Sequence, residues 1–259
     1  MIIGHWRRWR EARTLARRPI PDPLWQLTLQ RYPFLARLDE ADREELRRLA
    51  TLFLAAKEFH GAQGLEVDDE IAAAIAAQAC LPVLRLGLHW YNGFVGIVVH
   101  PDEVVARREV MDEDGVVHEY DETLTGEAMH GGPMMLSWRD VADAGASADW
   151  GYNVVIHEFA HVIDMRDGVA DGMPPLASVA ERERWQAILE SHFRRHERRV
   201  SVGRGTVLDP YGAQSPDEFF AVAVESFFVS PQAMRASHAS LYALLRDFFG
   251  QDPAAAGAP

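Results

Sequence analysis

Val154-Val155-Ile156-His157-Glu158-Phe159-Ala160-His161-Val162-Ile163-Asp164 is an apolar run broken by two histidines and two acids. Its composition predicts a buried helix over residues 150–165, with Asp149 as a candidate N-cap and Asp167-Gly168 closing it. On such a helix His157 and His161, four residues apart, stack on one face one turn apart. Two imidazoles so placed can share one metal ion. Glu158, about 100° further round, can reach a water held there without being a ligand itself. A plainer reading makes them two core histidines bonded to carbonyls. The desolvation cost of His, Glu and His on an apolar helix weighs against it unless those groups have a partner. The pattern is H-E-x-x-H, two ligands and a general base for zinc-assisted hydrolysis.

The 259 residues fit one large domain, or a domain with a small appended region, and can bury a core without staples. The formal charge of −13 argues against direct nucleic-acid binding, which needs a basic stripe. One cysteine, Cys80, rules out an intrachain disulfide and a thiolate zinc site, and it points to a reducing, cytoplasmic setting. No run of 18 apolar residues predicts a membrane span. The first 18 residues hold six arginines, one acid and no serine, and no apolar segment follows. That favours a basic surface helix packing Trp6 and Trp9 over a targeting peptide, with a weak affinity for acidic membranes left open.

Three prolines at positions 19, 21 and 23 predict a break and a linker, so residues 1–38 read as a basic helix and linker. Residues 39–252 read as the main domain and 253–259 as a flexible tail. Asp39 is the expected cap of an amphipathic helix over residues 40–59, and Asp68 of an Ala-rich helix over 69–81. Residues 94–100 read as a buried strand, and residues 104–110 and 116–120 as a hairpin about Asp112-Glu113-Asp114-Gly115. Residues 133–138 are a further short strand. Long helices are expected over residues 178–199, from Ser215 through Phe228, and from Ser237 through Phe248. The fold class is α+β, mostly helical, with a small mixed sheet. The glycines and proline leading into Met134-Met135-Leu136-Ser137 mark that strand as a sheet edge beside the histidines, open to an extended peptide.

Two histidines need a third ligand. Asp164 lies too close along the axis to His161 and is better placed to orient a histidine from behind. His192 and His196, also four apart, sit among Arg194, Arg195, Arg198 and Arg199 and read as a solvated helix end. Glu218 and Glu225, seven apart, share one face of an apolar helix. Glu218 also fits a capping box with Ser215, and Glu225 fits a salt bridge to an arginine. On the residues alone both stay open, with Glu218 ahead.

Further motifs accompany the first: Asp164-Met165-Arg166-Asp167-Gly168, Tyr211-Gly212-Ala213, Pro216-Asp217-Glu218-Phe219-Phe220-Ala221-Val222 and Glu225-Ser226-Phe227-Phe228. Upstream stand Cys80-Leu81-Pro82-Val83-Leu84 and Gly132-Pro133-Met134-Met135-Leu136-Ser137-Trp138. Together, from about Leu46 to Pro253, they resemble the Mlc titration factor A family of bacterial cytosolic zinc peptidases. That resemblance implies a zincin-like, gluzincin-type domain similar to the catalytic domain of anthrax lethal factor. It implies one zinc ion per chain held by His157, His161 and Glu218. Glu158 would be the base, Glu225 and Asp164 would support the ligands from behind, and Tyr211 would face the substrate across the metal. The implied substrate is a peptide, and the implied partner is a sugar-responsive repressor similar to Mlc, withdrawn from DNA. An interaction protein with a non-catalytic zinc is the alternative expectation.

Overall fold

The computed structural model describes residues 2–111, 117–124, 126–128 and 132–255. The first helix, α1 (Ile2–Arg17), lies on the outside of the molecule. It is the expected surface helix, but Trp6 and Trp9 are 63% and 55% exposed rather than packed down. The breaker cluster does end α1, but helices follow it at once: α2 (Asp22–Arg31) and α3 (Pro33–Ala36). Both begin with proline in the first turn, where no N–H is needed, so these prolines start helices rather than prolong a linker. Trp25, Tyr32, Phe34 and Leu35 enter the main core, and the Tyr32 hydroxyl donates to the Val141 carbonyl at 2.9 Å.

Asp39 caps α4 (Glu40–Ala56), accepting from the Asp42 N–H. The helix ends three residues short of the expected 59, because residues 58–61 extend into a strand, β1 (Glu58–Gly61). Asp68 caps α5 (Asp69–Cys80), whose alanines bring it close against α4 and buries nine of its residues. The central strand is β2 (Gly96–His100). Strands β3 (Val104–Met111) and β4 (Val117–Leu124) pair antiparallel as a separate ribbon; the acidic turn expected between them lies outside the described residues. Two short strands follow, β5 (Gly126–Ala128) and β6 (Met134–Ser137).

The sheet order is β1-β2-β6-β5. Strands β1 and β6 run parallel to β2, and β5 runs antiparallel to β6. This overturns the expectation that Met134 to Ser137 forms the edge. Met135 pairs with Val98 on one side and Glu127 on the other. Pro133 precedes the ladder and so does not bar β6 from the interior. Gly126–Ala128, three residues without alternation, is the edge beyond it.

Ser137 closes β6 and caps α6 (Trp138–Ser147). The motif helix is α7 (Val154–Asp164), buried on nearly all sides against α5, α6 and the sheet. Its cap is Asn153, not Asp149: the Asn153 side chain accepts from the Ile156 N–H at 2.9 Å. Phe159, on its rear face, sits among Phe53, Tyr91 and Phe94 with ring centroids 5.7, 4.8 and 5.8 Å away. Truncating such a ring would cost about 3–5 kcal/mol.

A capping box of Ser178 and Glu181 starts α8 (Val179–Ser201). His192 and His196 are 4% and 2% exposed on the stripe of Trp185 and Leu189, so they are buried rather than solvated. Helix α9 (Pro216–Val229) is buried along almost its whole length and packs on α7. It is covered in turn by α10 (Pro231–Ser237) and α11 (Ala239–Phe249), with Phe227, Phe228 and Phe249 in mutual contact. The Tyr242 hydroxyl donates to Asp252 Oδ1 at 2.6 Å and accepts from the Ala254 N–H at 2.9 Å. The start of the expected tail is therefore anchored, and residues 256–259 lie outside the described part. The fold is thus mostly helical α+β, with a small four-stranded mixed sheet and a two-stranded ribbon among the described residues.

Candidate metal centre

Three side chains from two helices converge. His157 Nε2 lies 3.2 Å from His161 Nε2 and 3.0 Å from Glu218 Oε2; His161 Nε2 lies 3.4 Å from that same oxygen. Helix periodicity brings the histidines together, and the packing of α9 on α7 supplies the glutamate. The Ser215 hydroxyl caps the Glu218 N–H at 3.5 Å, but the Glu218 carboxylate turns to the histidines instead of closing a capping box.

A carboxylate at neutral pH only accepts, so the 2.7 Å contact of His157 Nδ1 with Glu225 Oε1 places a proton on Nδ1. His157 Nε2 then presents a lone pair to the centre. Its neighbours there are a second imidazole nitrogen and a carboxylate oxygen. Three electron-rich atoms this close repel unless a cation lies among them. Ligands bound at about 2.0–2.1 Å to one tetrahedral ion are themselves roughly 3.3–3.4 Å apart. The observed 3.0–3.4 Å triangle fits that donor set. Among the described residues, these three are the one such group of His, Cys, Asp or Glu.

Glu225, 1% exposed, is held on its other oxygen by the Asn153 N–H. Asn153 also donates from Nδ2 to Gln78 Oε1 at 2.7 Å, and Gln78 donates to the Ala74 carbonyl. The helix cap and the support of His157 thus meet in one residue. Sequence reasoning passed over Asn153, although an asparagine directly before an apolar periodic run is the usual cap signal. Gln78, on an Ala-rich face, gave no such signal.

Glu158 is 5% exposed and stands outside the triangle. It accepts from the Ala128 N–H of β5. A Cβ on Gly126 would come within 2.6 Å of its carboxylate, so any side chain there would push Glu158 from its place. Burial raises the Glu158 pKa, opposed by His157 and His161. Burial also acts to raise that of Glu218, but the two histidines outweigh it and bring it down to about 2. For His157 burial acts downward and loses to Glu225 and Glu218, so its pKa stands well above the ordinary value; without an ion Nε2 holds a second proton, and a metal ion would take that proton's place and free the lone pair.

Tyr211 lies in a short 3-10 turn (Pro210–Ala213) started by Asp209, whose side chain accepts from the Tyr211 N–H. Its ring centroid is 5.9 Å from that of His157, and the residue is 40% exposed. Asp164 is fully buried, but its bond goes elsewhere than expected. Oδ2 accepts from the Gly172 N–H at 2.8 Å, and no described residue bonds Oδ1. Here α7 gives way to a 3-10 turn, and the carboxylate faces the loop rather than a ring. Burial pushes the Asp164 pKa up to about 7. Gly172, at φ +79°, lies so close to the Pro216 carbonyl and Leu189 that a Cβ would clash with both. His192 and His196 lie outside the centre. They bond Ser240, His238 and the Asp209 carbonyl.

A mostly helical α+β domain presenting two histidines and a glutamate at one point, with a second buried glutamate beside them, has the make-up of a metallopeptidase. Comparison with known proteins agrees. The sequence pattern of the family described as glucose-regulated metallo-peptidase M90 matches residues 6–250, and the chain belongs to that family. An uncharacterized protein of Synechocystis sp. is 38% identical over 251 residues, covering 96% of this chain and 90% of the relative. A protein named Mlc titration factor A from Cronobacter sakazakii is 35% identical over 247 residues, covering 95% and 91%. One of the same name from Escherichia coli is 34% identical over 231 residues, covering 88% and 86%. The resemblance drawn from the motifs therefore holds, and a metallopeptidase family implies a metal ion.

Proposed function

We propose that the chain is a zinc-dependent peptidase of gluzincin type, hydrolysing peptide bonds in the cytoplasm. The observation that carries this reading is the convergence of His157, His161 and Glu218 with Glu158 buried beside them but outside the triangle. When bound, one zinc ion supplies Lewis acidity, which makes water a competent nucleophile near neutral pH. Glu158 takes the proton from the attacking water and delivers it to the leaving amine. The Tyr211 hydroxyl donates to the oxyanion that develops on the carbonyl oxygen. Glu225 fixes the tautomer and orientation of His157. The peptide lies extended along the outer edge of β5, which offers main-chain groups to any sequence.

The test is hydrolysis of unstructured peptides by the wild type and by Glu158→Gln, with zinc content measured on both. The expected result is loss of turnover with zinc retained. Absence of turnover in both would favour the second reading, a zinc-containing interaction protein that sequesters a repressor. The name Mlc titration factor A, borne by relatives at 34–35% identity, supports that reading. Both roles can reside in one chain, and binding of a purified Mlc-like repressor by the Glu158→Gln protein tests the second directly.

A further inference from the structure

We propose that helix α1 is a docking surface for anionic phospholipid membranes. The chain holds 26 basic and 39 acidic residues; removing the six arginines and one acid of the first 18 leaves 20 against 38. The N-terminal segment is thus +5 on a body of −18. An asymmetry of this size points to a polyanionic surface as partner.

The two sides of α1 differ. Glu11, Thr14 and Leu15 are half-buried on the side toward α4, where Arg48 pairs with Glu11 at 3.7 Å. Trp6, Trp9, Arg13 and Arg17 recur at helical spacing on the outer side, and all are exposed. The Trp6 and Trp9 ring centroids are 6.1 Å apart, and the Arg13 guanidinium lies 5.2 Å from the Trp9 ring centroid. Trp25 and Trp185 are buried at 2% and 1% exposure, while Trp6 and Trp9 stand exposed side by side among arginines.

A row of arginines alone would suit any polyanion. Adjacent tryptophans select the membrane, because an indole is most stable at headgroup depth, apolar body inward and N–H toward water. Arginine pairs with lipid phosphate at that same depth. Duplex nucleic acid offers no such apolar layer. The acidic body is repelled by an anionic bilayer, so α1 is the part that can approach. No helix of the described residues is long and apolar enough to cross a membrane, so contact would be peripheral and reversible.

The test is co-sedimentation of the full chain with vesicles containing about 30% phosphatidylglycerol in phosphatidylcholine. Binding should be about tenfold weaker on pure phosphatidylcholine and at roughly 0.5 M salt, and inorganic phosphate should not compete. Bromine-labelled acyl chains should quench part of the tryptophan emission. Trp6→Ser with Trp9→Ser should abolish that quenching and weaken binding about tenfold, and Arg10→Gln with Arg13→Gln and Arg17→Gln should weaken it similarly. Far-UV circular dichroism reports whether α1 persists in the variants, and quenching of the wild type needs no variant. Failure to bind the anionic vesicles, binding without quenching, or binding of duplex DNA in preference to vesicles would each overturn the proposal.

Discussion

At the scale of single residues, the two glutamates of α9, Glu218 half-buried and Glu225 buried, divide their work. Glu218 meets both histidines, while Glu225 meets only the far nitrogen of one. Glu218→Ala should leave the protein unable to retain zinc through gel filtration. Glu225→Ala should keep it, with affinity lowered about 10–100-fold in a chelator competition. Equal zinc contents in Glu218→Ala and wild type would remove Glu218 from the ligand set. The Tyr211 ring lies beside that of His157, against the ligand set rather than in it. Tyr211→Phe should therefore keep its zinc and lower kcat by roughly 10²-fold with KM little changed. An unaltered kcat would make the hydroxyl irrelevant to catalysis.

At the scale of elements, β5 is what the base leans on. Gly126→Ala would force a methyl group against the Glu158 carboxylate. Zinc content and melting temperature should change little, because the strand is at the edge, while kcat falls at least about tenfold as the base is displaced. A loss of zinc in step with activity would show the centre itself to be disturbed. This strand was not legible in the sequence. Three residues, Gly126-Glu127-Ala128, are too few to show a period of two, and sheet order depends on partners far along the chain. The helices α4, α5, α8 and α9 were legible because each joins an apolar stripe to a capping residue at its start. The convergence of His157 and His161 followed from spacing alone. The choice between Glu218 and Glu225 turned on which turn of α9 faces α7, a packing fact that spacing leaves undetermined. His192 and His196 were misjudged by their arginine neighbours. Their own positions continue the stripe of Trp185 and Leu189, which was the better guide.

At the scale of the whole molecule, those buried histidines make stability depend on pH. His192 Nδ1 accepts from Arg195 at 2.8 Å, leaving Nε2 to donate to Ser240 Oγ at 2.8 Å, and His238 Nδ1 lies 3.0 Å from His192 Nδ1. Burial and the Arg195 charge hold His192 down at about 4. Burial, then His192, Arg195, His196 and Arg199, hold His238 at about 4 as well. The unfolded chain, with ordinary histidine pKa values near 6.5, takes up protons first as the pH falls. The stability from this cluster is therefore complete above about pH 6.5, declines between there and about 4, and falls no further below. The loss should be on the order of 2 kcal/mol across the window, after screening of the partly exposed ring is allowed for. Urea midpoints at pH 7 and pH 5 measure it. His238→Asn should flatten the difference, and an unchanged difference would place its origin elsewhere.

The metal triangle has a consequence for folding as well as for chemistry. His157 and Glu218 are 61 residues apart in sequence, and the segment between them contains α8 and the turn bearing Tyr211. An ion held at both ends would act as a removable clasp on a large loop, holding together only the folded chain. Mass action then ties cohesion to free metal: at a hundredfold excess over the dissociation constant the folded state gains about 2.7 kcal/mol. Stripping the protein with a chelator should lower its melting temperature, and titrating zinc back should raise it in proportion to the logarithm of the free concentration. Glu158→Gln, which leaves the clasp intact, should follow the same line as the wild type, while Glu218→Ala should stay flat.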